Sequence, residues 1–79
     1  MALEEKLRDI FVRALELTSD ADLAKVRFRR HPHWDSLGHY TLMVAIEEEF
    51  GVELDPDQFL QIESFDIALA VLRGIGVNG

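Results

Sequence analysis

Asp35, Ser36 and His39 place a carboxylate, a hydroxyl and an imidazole within one short stretch. These are the side-chain types of an activated nucleophile, its base and an orienting acid. Their spacing argues against hydrolysis. Ser36 and His39 stand three apart on one helical surface, and no second segment supplies an oxyanion hole or excludes water. His31 and His33 flank Pro32 and offer two nitrogen ligands, too few for a metal centre. Asp55 and Asp57 lack the further oxygen ligands and the glycine of a calcium loop. With no cysteine in the chain, thiolate metal clusters, disulfides and a cysteine nucleophile are all absent, and no metal site is expected. What remains is modification of the Ser36 hydroxyl. If Asp35 is the N-cap, Ser36 falls at the first helical position with its hydroxyl outward. The amides of that turn lack intrahelical partners and carry the positive end of the helix dipole, so an anion esterified to Ser36 would be stabilised there. Read conservatively, the same serine only starts a helix.

The elements that must present Ser36 read as helix nearly throughout. Leu3, Leu7, Ile10, Phe11, Ala14 and Leu15 recur at spacings of three and four, predicting a helix over 2–17, with Glu4 and Glu5 in its first turn and Thr18-Ser19-Asp20 at its end. A long connection follows to Trp34, anchored by Leu23, Val26, Phe28 and Trp34, with a helical turn possible at Asp22–Lys25. Pro32 keeps His31 out of helical geometry. The second helix is expected over 36–50, capped by Asp35 and closed by Gly51, with Leu42, Ala45, Ile46 and Phe50 buried and Glu47, Glu48 and Glu49 toward solvent. Gly38 reads as a weak spot in its first turn. Asp55-Pro56-Asp57-Gln58 signals a short third helix over 56–62 with a capping box. Ser64 caps a fourth, over 64–73, which Gly74 stops, and the end from Val77 should fray. Val52-Glu53-Leu54 is a β-like fragment too brief to matter. The fold class is all-α: a single domain over 1–79, a four-helix bundle with a short third helix and a long first loop.

Size and charge narrow the function classes. A folded chain of 79 residues buries roughly 60–65% of its extended surface, enough for a small core but not for a deep catalytic site; an enzyme is disfavoured. The net charge of −7 disfavours nucleic acid as a partner. Between His31 and Leu72 there is no Lys or Arg but there are nine acids, so this stretch should steer basic partners toward itself. Lys25, Arg27, Arg29 and Arg30 read as counter-charges to that acidic surface. The longest apolar run, Leu42–Ile46, is far below the roughly 20 residues that span a bilayer, and the acidic opening is unlike a secretory signal. A cytoplasmic monomer is expected.

The run Asp35-Ser36-Leu37, then Leu42, then Ala45-Ile46-Glu47-Glu48-Glu49-Phe50, then Pro56, resembles the acyl carrier protein family over nearly the whole chain. The resemblance implies a right-handed four-helix bundle and a 4′-phosphopantetheine arm, derived from coenzyme A, on Ser36. It implies a phosphopantetheinyl transferase as one partner and acyl-loading and acyl-processing enzymes with basic docking patches as others. Asp35, Leu37 and His39 would flank the arm, with His39 a surface residue against its phosphate or a partner's acid. Leu37, Glu47 and Glu48 match docking positions, and Met43 would sit at the rim. Leu42, Ile46, Phe59, Ile62, Ala68 and Leu69 would form the core and open to shelter an acyl chain, with Tyr40 interrupting a straight pocket. The chain departs from the fatty-acid-type pattern at Gly38-His39 and at Thr41, where acids are usual, and at Trp34, where a small residue is usual. The expected function is an acyl carrier serving fatty acid, polyketide or a specialised pathway; an aminoacyl or peptidyl carrier, or an unmodified helical adaptor, stands beside it.

Overall fold

The first helix begins because its apolar residues share a stripe. In the computed structural model, which describes residues 3–18, 20–30 and 32–77, α1 spans Leu3–Ala14 and buries Leu3, Leu7, Ile10 and Phe11. Met1, Ala2, Ser19, His31, Asn78 and Gly79, with the expectations placed on them, lie outside the described residues. The helix stops three residues before the predicted end. Leu15 stays on the apolar face and is buried, but Glu16 turns into the left-handed region at φ 54°, and Leu17 N–H reaches back to the Val12 carbonyl at 2.9 Å. Such a 6→1 bond closes a helix in the Schellman manner, usually with glycine at the left-handed position.

The connection to the next helix is packed by its own side chains. Asp22 accepts from the Ala24 amide and caps a 3-10 turn over Leu23–Lys25. Leu23, Val26 and Trp34 are buried and Phe28 is half-buried. Arg8 donates to the Ala21 carbonyl at 2.9 Å, tying the connection to α1. Phe28 N–H donates to the Glu63 carbonyl at 3.0 Å beside an antiparallel bridge between Arg27 and Ser64. That bridge, and not Val52–Leu54, is the strand-type pairing among the described residues. Two of the basic residues here also brace the connection itself. The Arg27 guanidinium donates to the Ala24 and Val26 carbonyls, and that of Arg29 lies 5.2 Å over the Phe28 ring.

Three further helices complete the bundle. α2 spans Ser36–Phe50, the predicted bounds, with Gly51 left-handed at its end. α3 spans Pro56–Gln61, and both arms of its Asp55–Gln58 capping box are made. α4 spans Phe65–Ile75 under a Ser64 cap, so it runs two residues past the predicted stop. Gly74 stays helical, and Gly76, at φ 108°, takes the left-handed position that ends the helix. The core joins α1, the connection, α2 and α4 through Leu7, Phe11, Trp34, Leu42, Ile46, Ile62 and Leu72. No described helix is long and apolar enough to cross a membrane.

Glu16 identifies a removable strain. A non-glycine residue in the left-handed region costs about 1–2 kcal/mol, and Glu16→Gly should relieve it at the modest entropic cost of glycine. We expect a net gain of about 1 kcal/mol, which raises the thermal midpoint of a domain this size by roughly 4–8 °C. A calorimetric midpoint equal to or below that of the native chain would refute this account of the α1 terminus.

Candidate functional site

Asp35 adopts extended backbone and accepts from the Gly38 amide at 2.9 Å, while its carbonyl receives His39 N–H at 2.8 Å. These two bonds set the start of α2 and leave Ser36 exposed at its first position. By helix geometry, the amides of Ser36 and Leu37 have no intrahelical partner, and both point along the positive end of a fifteen-residue dipole. Leu37 is 74% and Tyr40 60% exposed. One turn of helix thus displays a primary hydroxyl, two outward amides and two large apolar side chains to any approaching protein.

Gly38 is not a weak spot. A Cβ there would collide with the His33 carbonyl oxygen, well inside contact distance. Glycine lets the preceding loop press against the first turn of α2, where the His33 imidazole also donates to the Leu15 carbonyl at the end of α1, at 2.9 Å.

His39 departs furthest from expectation. It is 4% exposed and so is not the surface residue predicted. Its Nδ1 accepts from the Trp34 indole N–H at 3.0 Å, and its Nε2 donates to the Phe59 carbonyl at 2.8 Å. Because indole can only donate, Nδ1 must be the acceptor, which leaves the proton on Nε2. The ring packs 4.5 Å from Phe28 and edge-on to Phe59 at 4.9 Å, near-parallel to Trp34 at 6.1 Å. Trp34 in turn meets Phe11 edge-on at 5.3 Å, and Phe11 meets Phe65 likewise. Every ring nitrogen of His39 is thus engaged inside the protein. The stripe rule could have found this, since one turn back from Leu42, Met43 and Ile46 the spacing lands on His39.

The other predicted residues divide by exposure. Met43 is buried at 1% exposure, which removes it from the rim. Glu47 is half-buried and accepts the Leu54 amide at 2.8 Å, so it stitches the end of α2 to the following loop instead of facing solvent. Glu48 is exposed. Leu42, Ile46, Ile62, Ala68 and Leu69 are buried together and Phe59 is half-buried. Tyr40 points outward and interrupts nothing inside. His33, outside the metal reading, serves the loop bond described above, and no cluster of metal-ligating side chains occurs among the described residues.

Comparison with known proteins follows the same geometry. Residues 5–66 match the family described as the phosphopantetheine attachment site. The chain is similar to an acyl carrier protein of Nitratidesulfovibrio vulgaris (strain Miyazaki F), with 32% identity over 73 residues, 92% of this chain and 96% of the relative. It is also similar to an acyl carrier protein of Akkermansia muciniphila, with 30% identity over 74 residues, 94% of this chain and 92% of the relative. No solved structure gives a significant match.

Two substitutions test the local physics. Gly38→Ala, which at an ordinary helix position would stabilise by up to about 1 kcal/mol, should here destabilise by about 1–3 kcal/mol because the His33 carbonyl must move. His39→Ala should lower stability by about 2–4 kcal/mol, leaving a cavity and stranding the Trp34 indole and the Phe59 carbonyl. Denaturant titration measures both, and nitrogen NMR of the native imidazole should report the Nε2–H tautomer. A stabilising Gly38→Ala, or a histidine protonated on Nδ1 alone, would contradict the described packing.

Proposed function

The chain belongs to the acyl carrier protein family with its phosphopantetheine attachment site, and on that footing we propose that Ser36 is the residue that bears the arm. Its prosthetic group is 4′-phosphopantetheine, and the chain is a carrier and not a catalyst. The group supplies a thiol at the end of a flexible arm, where an acyl group is held as a thioester. The observation that carries the assignment is the exposed Ser36 hydroxyl at the first position of α2.

The residues present suit that group. Asp35 spends one carboxylate oxygen on the Gly38 amide and so fixes the turn that presents the hydroxyl. A phosphodiester on Ser36 would meet the outward amides of the first turn and the positive pole of α2. Gly38 and the exposed Leu37 leave the approach open to a transferring enzyme. Phosphopantetheinyl transferases and acyl-processing enzymes are the partner classes the family implies. For docking we propose Leu37 as the apolar contact and Glu48 as the acidic one. His39, Met43 and Glu47 take no part in that surface, since the interior or the backbone already holds them. The delivery we infer is of acyl intermediates to enzymes whose docking patches are basic.

Incubation with coenzyme A and a broad-specificity phosphopantetheinyl transferase should add one arm by intact mass, and Ser36→Ala should add none. An arm on the variant, or no arm on the native chain under conditions that load a control carrier, would overturn the assignment. Glu48→Lys should slow arm transfer several-fold at low salt while leaving the melting curve near native, with the difference narrowing as salt rises. Equal rates at low salt would exclude Glu48 from docking.

A further inference from the structure

We propose that the turn from Lys25 to Arg30 is a second docking surface, basic where the exposed end of α2 is acidic, and that it receives a cluster of carboxylates on the enzyme that modifies Ser36. The choice of that enzyme rests on Ser36 as the attachment point; the surface itself does not. Four of the eight basic residues of a chain with net charge −7 fall within this turn. Lys25, Arg27, Arg29 and Arg30 are all exposed. The ion pairs among the described residues are Asp9 with Arg13 and Glu4 with Arg73, and neither involves the turn. Of the acids beside it, Asp22 accepts the Ala24 amide. Glu63 lines a cavity of about 330 Å³ with Arg27, Phe28 and Arg30, yet pairs with neither guanidinium.

The turn is held in one shape by its backbone. Arg27 joins Ser64 in the antiparallel bridge, Phe28 N–H meets the Glu63 carbonyl at 3.0 Å, and Arg30 N–H closes on the Arg27 carbonyl at 3.2 Å. Arg29 takes a left-handed backbone at φ 67°, and its amide donates to the Trp34 carbonyl at 2.8 Å. Its guanidinium lies over Phe28, and Phe28 packs 4.5 Å from the His39 imidazole. The cations are thereby gathered near the Ser36 end of α2. Glu48 and Glu49 stand about 18–20 Å further along that helix at its ordinary rise.

Neither group of charges serves the helix. Acids favour a helix start and cations a helix end, whereas α2 has no acid in its first turn and no base in its last. A partner that meets both groups accounts for them. Opposite charges toward the two ends of α2 fix the direction in which that partner lies, which one acidic patch alone does not. The modifying enzyme has to reach the Ser36 hydroxyl itself, so its body must cover the ground where the basic turn lies. Enzymes that act on cargo meet the far end of a flexible arm and can stand further off. The planar fork of arginine suits carboxylates, which it can grip through two parallel bonds. Nucleic acid suits the turn less, because its phosphates would run on into a strongly acidic protein.

Nitrogen-labelled native chain is titrated at low salt with hexaglutamate, hexalysine and hexathymidylate. Hexaglutamate should move the side-chain N–H resonances of Arg27, Arg29 and Arg30 and the amides of the turn, and hexalysine the amides of Glu48 and Glu49 instead. Raising the salt should remove both sets of shifts. Lys25→Glu combined with Arg30→Glu replaces two exposed side chains, so the melting curve should stay near native. With coenzyme A and a phosphopantetheinyl transferase, this variant should take the arm several-fold more slowly at low salt, through a raised KM for the carrier. The sign is diagnostic, since an enzyme that docks through basic residues alone would arm the more acidic variant faster. Equal or faster transfer, no shift in the turn with hexaglutamate, or equal shifts there with hexathymidylate overturns the proposal. A native chain that gains no arm by mass is a different result: it removes Ser36 as the attachment point and leaves the hexaglutamate titration to decide the basic surface.

Discussion

A single imidazole joins the separate pieces of this bundle. His39 receives a hydrogen bond from the indole of the long connection and gives one to the backbone of α3, and its own helix supplies the ring between them. α3 is six residues long and buries none of them fully, so it has little apolar area with which to hold its place. A helix that short is not stable by propensity. Its position follows from the capping box at one end and from the carbonyl of Phe59 held by His39. The connection is in a similar position, with no regular structure beyond one 3-10 turn, and it is anchored by Trp34 against His39 and Phe11. A polar group at the centre is stabilising here because both of its bonding capacities are met; half-met, it would cost more than an apolar residue in the same place.

α2 distributes its labour by period. His39, Leu42, Met43 and Ile46 form the buried stripe, at the spacing of three and four that one helical face requires. Ser36, Leu37, Tyr40 and Glu48 occupy the other side and are exposed. The two ends are fixed by side-chain bonds to backbone amides, Asp35 to Gly38 and Glu47 to Leu54. A carrier has to be handled by several enzymes in turn while its modified residue keeps one geometry. Placing Ser36, the proposed acceptor, on a helix pinned at both ends, and packed along its length by a stripe of four residues, would meet that need without any movement of the backbone.

Much of this was legible in the residues. The bounds of α2 follow from Asp35 and Gly51, and the start of α3 from Asp55, Pro56 and Gln58, because caps act within one turn and need no tertiary partner. Helix ends that depend on tertiary context were less legible. Leu15 and Leu17 continue the apolar spacing of α1, yet the chain turns at Glu16, a left-handed position that its residue type does not advertise. Between two glycines near the end of α4, the nearer one looked like the stop, whereas the left-handed conformation falls at Gly76. In the site, the position of Ser36 at the start of α2 is legible from its cap, but the exposure of the charged and polar residues beyond it is not. Glu47 and Glu48 are neighbours of one type, and only the fold tells which of them meets the Leu54 amide. The chemistry of His39 points to the surface, whereas its spacing places it in the core, where it lies.

Gly38 and His39, which look like two separate departures from the fatty-acid-type pattern, are mechanically one. The His33 carbonyl can sit on the first turn of α2 only because position 38 has no Cβ. With that loop pressed down, Trp34 comes next in the chain and its indole N–H falls within reach of position 39. An acid at position 38 would push the loop away and strand the indole. An acid at position 39 could accept from the indole but, when ionised, has no proton for the Phe59 carbonyl. The first turns of α2 therefore give up the negative charge usual beside the attachment serine in exchange for a bonded interior. The acids that remain on the exposed face of this helix, Glu48 and Glu49, lie toward its far end, away from Ser36. Beside Ser36, the proposed attachment point, the helix then offers the exposed apolar surfaces of Leu37 and Tyr40, which would discriminate partners by shape, while the distant carboxylates would steer approach by charge.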